Sequence, residues 1–198
     1  DELPKLHAIA EERNLGRIKM SHRLMDGSLV SAIERSVKED KIDYIIMGTE
    51  GEKGWTEMFL GTHTTAVISD VDIPVLSIPV EAKYKAVKNI GFTTRFRPKD
   101  KPALKNVIEI AKKMKAKVKC LYVKKDSSDV SKETIKQWEN EFANEPVEFT
   151  VVFSEDVKES ILDFILFKDV DVLTMLTYKH NFLKNLFHHS LTKDCSAH

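Results

Sequence analysis

The sequence predicts an α/β protein built from helix-covered parallel sheets and organised as two Rossmann-like domains. Three observations indicate this architecture. Short apolar runs rich in β-branched residues alternate with amphipathic segments of helical length along the chain. The run at residues 42–47 is almost continuously apolar, as in a strand that is buried on both faces of a parallel sheet. Matching residues also recur at a constant offset of 128 positions, which indicates that one domain has been duplicated.

The first half of the chain predicts two helices before its first buried strand. Residues 3–14 place Leu3, Leu6, Ile9 and Ala10 on one helical stripe. Ser28 is a suitable N-cap for a second helix that ends near residue 39. Strands are predicted at residues 17–23, 42–47 and 73–78, with a helix at residues 62–69 before the last of them. The proline within residues 73–78 places that strand at a sheet edge.

The pattern restarts after a polar hinge at residues 81–85, which divides the chain into domains at residues 1–81 and 86–198. Strands are predicted at residues 86–93, 117–123, 147–153 and 170–176. Helices are predicted between them at residues 101–115, 131–143 and 157–167, the second with Ser131 as its N-cap. Alternation of this kind is typical of βαβ units that form a parallel sheet.

The internal repeat relates the two domains without a gap over about 40 residues. The matching pairs are Ile33 with Ile161, Asp43 with Asp171, Met47 with Met175, Thr49 with Thr177, Phe59 with Phe187 and Thr64 with Thr192. Subtracting 128 from residue 86 gives position −42, so we expect about 40 residues of the first domain to precede Asp1. By the same reasoning we expect the last strand of the second domain to lie beyond His198 and the sequence to be part of a longer tandem protein.

Composition excludes several classes of function. The 31 basic residues balance the 31 acidic ones, so no global field attracts nucleic acid or an acidic membrane. The sequence shows no signal peptide and no apolar run near the roughly 20 residues that span a bilayer. Only Cys120 and Cys195 are available for disulfides, and Cys120 lies in an apolar run where it is expected to pack as a small hydrophobe. We therefore expect a cytoplasmic protein.

A glycine-bearing loop follows the strand at residues 42–47 and precedes the helix at residues 62–69. Its glycines have the spacing Gly48-x2-Gly51-x9-Gly61, and Thr62 follows the last of them. Glycine lets backbone N–H groups approach an anion closely, and the amino end of a helix favours phosphate. Doubly wound folds bind phosphates at this end of their strands. The alternative that these glycines serve turns alone remains open.

This spacing resembles the nucleotide loop of the universal stress protein family. Residues 42–48 resemble the fourth strand of that family, residues 73–78 its fifth and residues 90–96 its first, so the resemblance extends over most of the chain. It implies five-stranded parallel sheets of order 3-2-1-4-5, as in adenine nucleotide alpha hydrolase-like folds. It also implies contacts to ribose and phosphates from Met47, Gly48, Gly51, Gly61, Thr62, His63 and Thr64.

The second copy departs from the family pattern. Leu176, Lys179 and His189 replace the three loop glycines, and Arg95 occupies the position of an acidic residue in the family. Side chains at glycine positions obstruct close backbone approach. We expect no nucleotide in the second domain. The histidines of this loop, His180, His188 and His189, have no metal-motif spacing and are expected to be surface residues.

The resemblance implies a stress-response sensor or regulator that binds ATP, AMP or ADP, with Mg²⁺ as a candidate companion of the phosphates. Two alternatives remain: a protein-interaction module that binds no nucleotide, and a slow ATPase. No catalytic triad is evident and no Walker lysine follows the glycine loop, so an enzyme with high turnover is not expected. The family pairs its last strands across a dimer or pseudo-dimer interface, and the same is expected here of residues 75–78.

Overall fold

The computed structural model describes residues 3–49, 62–128 and 130–177. The helices are α1 Leu3–Glu12, α2 Leu29–Asp40, α3 Thr62–Asp70, α4 Asp100–Met114, α5 Lys132–Glu141 and α6 Val157–Phe167. The strands are β1 Ile45–Thr49, β2 Val75–Pro79, β3 Asn89–Thr93, β4 Lys117–Lys124, β5 Val147–Phe153 and β6 Val172–Thr174. The predicted alternation of helices and strands is therefore observed, with most boundaries within three residues.

Side-chain caps fix the starts of three helices. Ser28 Oγ accepts a hydrogen bond from the Ser31 N–H at 3.3 Å, and Ser131 Oγ accepts one from the Thr134 N–H at 3.1 Å. Both N-caps agree with the sequence prediction. Asp156 Oδ1 accepts from the Glu159 N–H at 2.9 Å at the start of α6. These bonds satisfy backbone donors that have no partner within the helix.

Two parallel sheets are formed. The first contains β1 and β2, with Ile45 opposite Val75. The second has the order β5-β4-β3-β6, which is third, second, first and fourth when the strands are counted within that half of the chain. This agrees with the first four places of the predicted order. The predicted five-stranded sheets are not observed, because the described residues supply two strands to one sheet and four to the other.

The strand predicted at residues 17–23 was wrong, because these residues form turns and irregular backbone. Arg17, Ile18 and Lys19 satisfy the alternating pattern, but a strand also needs a hydrogen-bonded neighbour. In the described part of the first half, β1 and β2 pair with each other, and no other strand lies beside residues 17–23. Local pattern alone therefore does not produce a strand there.

The second sheet carries most of the core. On one face, Ile90, Phe92 and Val118 pack with the apolar stripe of α4 and with Trp138 and Phe142. On the other face, Leu121 packs with Ile161 and Phe164 of α6. Two helices on one face and one on the other follow from right-handed crossovers in a sheet of this order. Cys120 is fully buried as predicted, and burial raises the pKa of its thiol.

Candidate functional site

The predicted nucleotide-binding residues divide into three groups. Met47 and Gly48 lie in β1, next to its carboxyl end. Thr62, His63 and Thr64 form the first turn of α3. Gly51 and Gly61 lie outside the described residues. The structure therefore places the two ends of the predicted loop on a strand and on the helix that follows it in the chain.

The first turn of α3 presents polar groups of different accessibility. The Thr62 and His63 side chains are exposed, whereas Thr64 is only 3% exposed. This first turn contains no acidic side chain that would neutralise the positive potential at the amino end of the helix. Thr62 and His63 can thus reach a bound anion, while the Thr64 side chain belongs to the interior of the fold.

Nothing among the described residues requires position 48 to be glycine. Gly48 lies within a strand, its φ is not positive, and a β-carbon added there would meet no heavy atom of the described residues within 4 Å. Gly91 differs, because a β-carbon there would lie 2.9 Å from Val170 Cγ1. Packing thus explains the glycine at 91, whereas among the described residues neither packing nor backbone conformation explains the one at 48. The open space beside Gly48 is what close approach of a ligand would require.

Apolar side chains pack near the carboxyl end of the second sheet. Leu176, the repeat equivalent of Gly48, packs against the core cluster on the α4 face. Phe96, just after β3, is 5% exposed and lies 5.2 Å from both the Tyr122 and Trp138 ring centroids. Its φ of 53° is unusual for a bulky residue. The position that corresponds to Gly48 in the second copy therefore holds the Leu176 side chain, as the sequence predicted.

A buried carboxylate organises the loop after β3. Asp100 Oδ2 accepts hydrogen bonds from Thr94 Oγ1 at 2.9 Å and from the backbone N–H groups of Arg95 at 2.9 Å and Arg97 at 3.2 Å. Asp100 is fully buried, and Arg95 is exposed. The sequence analysis did not identify Asp100. An Asp in the first turn of a helix, six residues after a threonine, was the available signal.

A second carboxylate ties β6 to the start of β3. Asp171 Oδ2 accepts from the backbone N–H groups of Lys88 at 2.8 Å and Asn89 at 2.9 Å, and Asp171 Oδ1 forms a 2.6 Å ion pair with Lys85 Nζ. Burial opposes ionisation most strongly, but Lys85 and the two N–H groups together outweigh it and lower the pKa of Asp171. Sequence analysis identified Asp171 only as a repeat match.

The described residues contain neither a metal-binding cluster nor a membrane-spanning helix. In residues 3–49, 62–128 and 130–177, no group of three or more His, Cys, Asp and Glu side chains is arranged to hold a metal ion. No helix in the same ranges is long and apolar enough to cross a membrane. The predicted surface histidines of the second loop lie outside these ranges.

Comparison with protein families matches residues 1–79 to the Universal stress protein family. The match covers fewer than half of the 198 residues and includes β1, α3 and the loop between them. A search of curated proteins finds no match for the chain.

Solved structures with the same fold include a universal stress protein from Archaeoglobus fulgidus DSM 4304. It is 18% identical with a TM-score of 0.70, and the match covers 88% of this chain and 65% of that one. A functionally unknown protein from Pseudomonas aeruginosa PAO1 is 14% identical with a TM-score of 0.68, covering 94% of this chain and 73% of that one. These likenesses establish the α/β fold, and the chain spans less than two thirds of the Archaeoglobus protein.

Proposed function

We propose that the chain carries two universal stress protein domains, at residues 1–81 and 86–198, and that the first binds an adenine nucleotide. The ligand is ATP, ADP or AMP, with Mg²⁺ as a possible companion of its phosphates. The protein acts as a sensor or regulator in a stress response, in the cytoplasm, and not as an enzyme with high turnover. The family match over residues 1–79 supports the role of the first domain.

The observation that carries the nucleotide assignment is the open space at Gly48. Among the described residues, neither packing nor backbone conformation requires this glycine, and the helix that begins at Thr62 is the next described element in the chain. Backbone N–H groups at a strand end and at a helix start together suit a phosphate. We assign Met47, Gly48, Gly51, Gly61, Thr62 and His63 to ligand contact. Thr64, which is buried, supports the helix from inside.

Only one of the two copies is proposed to bind. The leucine at position 176 occupies the place of Gly48 and packs against the core, and Phe96, just after β3, is buried against Tyr122 and Trp138. A nucleotide there would have to displace apolar side chains from the core, at a cost of up to roughly 1.5–3 kcal/mol for each. The second domain therefore serves as a partner of the first.

The test replaces Gly48 by the residue that the second copy carries. Because a leucine side chain at 48 obstructs backbone approach, we expect Gly48→Leu to weaken ATP binding at least tenfold, about 1.4 kcal/mol. Titration calorimetry of the intact polypeptide that contains these residues measures this. Gly16→Leu is the matched control, since a β-carbon at Gly16 also meets no heavy atom within 4 Å.

Unchanged ATP affinity in Gly48→Leu would contradict the assignment, and a protein-interaction module would then be the leading function. Phosphate release above the background of the Gly48→Leu variant would add slow hydrolysis to the proposal.

For assembly we propose a dimer or pseudo-dimer through β2, whose outer edge has no partner among the described strands. Leu76 and Ile78 on this strand are 42% and 39% exposed.

A further inference from the structure

The outer face of α6 carries exposed apolar side chains toward the end of the helix. Leu166 and Phe167 are 73% and 81% exposed, and Leu162, one turn before Leu166, is half-buried. The inner face of α6 already supplies Ile161 and Phe164 to the core. Single exposed apolar residues are common on protein surfaces, whereas a contiguous group of them is typical of an interaction site. We call Leu162, Leu166 and Phe167 the α6 patch.

The first copy indicates that the fold does not require this patch. At the offset of 128, α2 is the equivalent of α6, and the patch residues correspond to Glu34, Lys38 and Glu39. Glu39 forms a 3.1 Å ion pair with Arg23, as is common for a helix face in water. The same helix therefore has a charged outer face in one copy and an apolar outer face in the other. This difference points to a contact that α6 makes and α2 does not.

The amino end of α6 is acidic. Residues 155–163 contain four carboxylates and one lysine. Glu159 and Asp163 are exposed on the outer face beside the patch. Asp156 caps the helix and accepts a hydrogen bond from the Glu159 N–H at 2.9 Å. A negative potential is therefore expected at this end of the patch.

The carboxyl end of α6 lies among lysines. Lys168 Nζ donates to Glu148 Oε1 at 2.9 Å, and Lys119 Nζ donates to Lys168 O at 3.1 Å. The Lys168 hydrogen bond, together with the charges of Lys119 and Lys117, lowers the pKa of Glu148. Lys117 is exposed at the start of β4. These three lysines outnumber Glu148 and the exposed Asp169, so this end of the patch is positive.

We propose that the α6 patch binds the α6 patch of a second copy of this chain, with the two helices antiparallel about a twofold axis. In this arrangement Leu166 of each copy packs against Leu162 of the other. A twofold axis makes the contact isologous, so the acidic end of each helix lies against the basic end of the other helix. Parallel helices would instead bring like charges together. The opposite charges at the two ends of the patch therefore favour a second copy in the antiparallel arrangement.

The proposed contact is small and separate from the β2 interface. A helix of 11 residues is about 16 Å long, so the buried area lies at the lower end of specific interfaces. We therefore expect a reversible dimer. The contact is independent of nucleotide binding, because it uses the second copy alone.

Sedimentation equilibrium of the protein without nucleotide tests the proposal. The double variant Leu166→Lys, Phe167→Glu gives α6 the residues that α2 carries at the equivalent positions. We expect its association constant to fall by at least about tenfold. Its melting temperature should stay close to that of wild type, because both side chains are exposed and both new residues suit a helix.

Phe153→Glu is the matched control. Phe153 is 74% exposed, and Lys124 Nζ lies 5.6 Å from its ring centroid. Residues 147, 149 and 151 of β5 pack in the cluster on the α4 face, so by alternation Phe153 belongs to the face of the sheet away from α6. Its replacement should leave the association constant unchanged.

A charge exchange tests the antiparallel arrangement. Glu159→Lys and Lys117→Glu should each weaken association, because each places like charges at both ends of the contact. In a mixed dimer of the two variants, every lysine at these positions faces a glutamate. We expect the equimolar mixture to associate at least about threefold more tightly than either variant alone. A mixture that associates no more tightly would refute the antiparallel arrangement.

A protein that stays monomeric up to about 1 mM, well above a micromolar Kd, would overturn the proposal and leave the patch to a different protein. Dimers that persist unchanged in the double variant would also overturn it, since they would use another surface, such as the edge of β2. An equal loss of association in Phe153→Glu would show that the effect is not specific to α6. None of these outcomes depends on nucleotide, which calorimetry measures separately.

Discussion

Two glycines of this molecule are glycine for opposite reasons. At Gly91, in the middle of β3, the space for a side chain is already taken by Val170, Leu173 and Phe164. At Gly48 no heavy atom of the part of the chain that the structure describes lies within 4 Å of the place for a β-carbon. The first lets α6 pack closely on the sheet, and the second leaves room at the end of β1. A sequence shows only that both are glycine, so their roles become distinct when the neighbours are known.

The packing role of Gly91 gives a direct prediction. In Gly91→Ala the new β-carbon would lie 2.9 Å from Val170 Cγ1 and 3.1 Å from Leu173 Cδ1. Forcing these side chains apart is expected to lower the free energy of unfolding by about 1–3 kcal/mol. Urea unfolding followed by circular dichroism measures the loss. Gly16→Ala, with open space around its β-carbon, is the control, and equal stability of the two variants would contradict the packing role.

At the scale of elements, one carboxylate joins strands that lie 82 residues apart in sequence. Asp171 at the start of β6 holds the first N–H groups of β3, and its side chain is 8% exposed. The Lys85 partner is 69% exposed, so that ion pair adds little. Removing the carboxylate leaves two backbone donors without their acceptor. The contribution of Asp171 to the connection between β3 and β6 therefore comes mainly from the hydrogen bonds that its carboxylate accepts from the Lys88 and Asn89 N–H groups.

This connection predicts a pH dependence of stability. The pKa of Asp171 is lower in the folded protein than in the unfolded chain. The charged carboxylate therefore contributes fully to the free energy of unfolding at pH values above the pKa that Asp171 has in the unfolded chain. It declines as the pH falls through that value, about 3.9, and disappears below the folded pKa. We expect Asp171→Ala to cost about 1.5–3 kcal/mol near neutral pH. Urea unfolding at a series of pH values should show the gap to wild type closing below about pH 4.

The control for this series is Asp163→Ala, since Asp163 is exposed on α6 and alanine favours helix. Its free energy of unfolding should follow wild type at every pH. A gap between Asp171→Ala and wild type that stays constant down to pH values near 2 would contradict the role assigned to the Asp171 charge.

Elements with consistent local and tertiary signals could be predicted from the sequence. β5 and α6 have the predicted bounds, because their apolar period matches the faces that they bury. Residues 17–23 have strand-like alternation but no neighbouring strand in the described part of the first half. Of the candidate site, the sequence predicted the positions in β1 and α3. It could not predict that Thr64 is buried or that Asp100 holds a loop, because both depend on contacts through space.

At the scale of the whole molecule, the two halves differ in how many apolar side chains they bury. Among the buried apolar side chains of the described residues, only Ala10 and Val67 precede Ile90. Ile68 of α3 connects the halves by packing against the cluster on the α6 face. A two-stranded sheet with little buried apolar area has low stability of its own. The first half therefore depends on its neighbours more than the second half does.

We accordingly expect the chain that starts at Asp1 to open in two stages. Amide exchange under increasing urea should release the β1 amides that face β2, at Ile45 and Met47, before those of β4, which is flanked by strands on both sides. We expect this order because the first half of the chain buries fewer apolar side chains than the second half. Simultaneous release of β1 and β4 at every urea concentration would show that the halves form one cooperative unit, contrary to this expectation.

The central claim is that the first copy binds an adenine nucleotide and the second does not. Hydrogen exchange of the protein with and without ATP tests it most directly, because it reports on both copies at once. We predict slower exchange on adding ATP at Gly48, Thr62 and His63, and no change at Arg95 and Leu176. Absence of protection at the first three positions, or equal protection in the second copy, would contradict the claim.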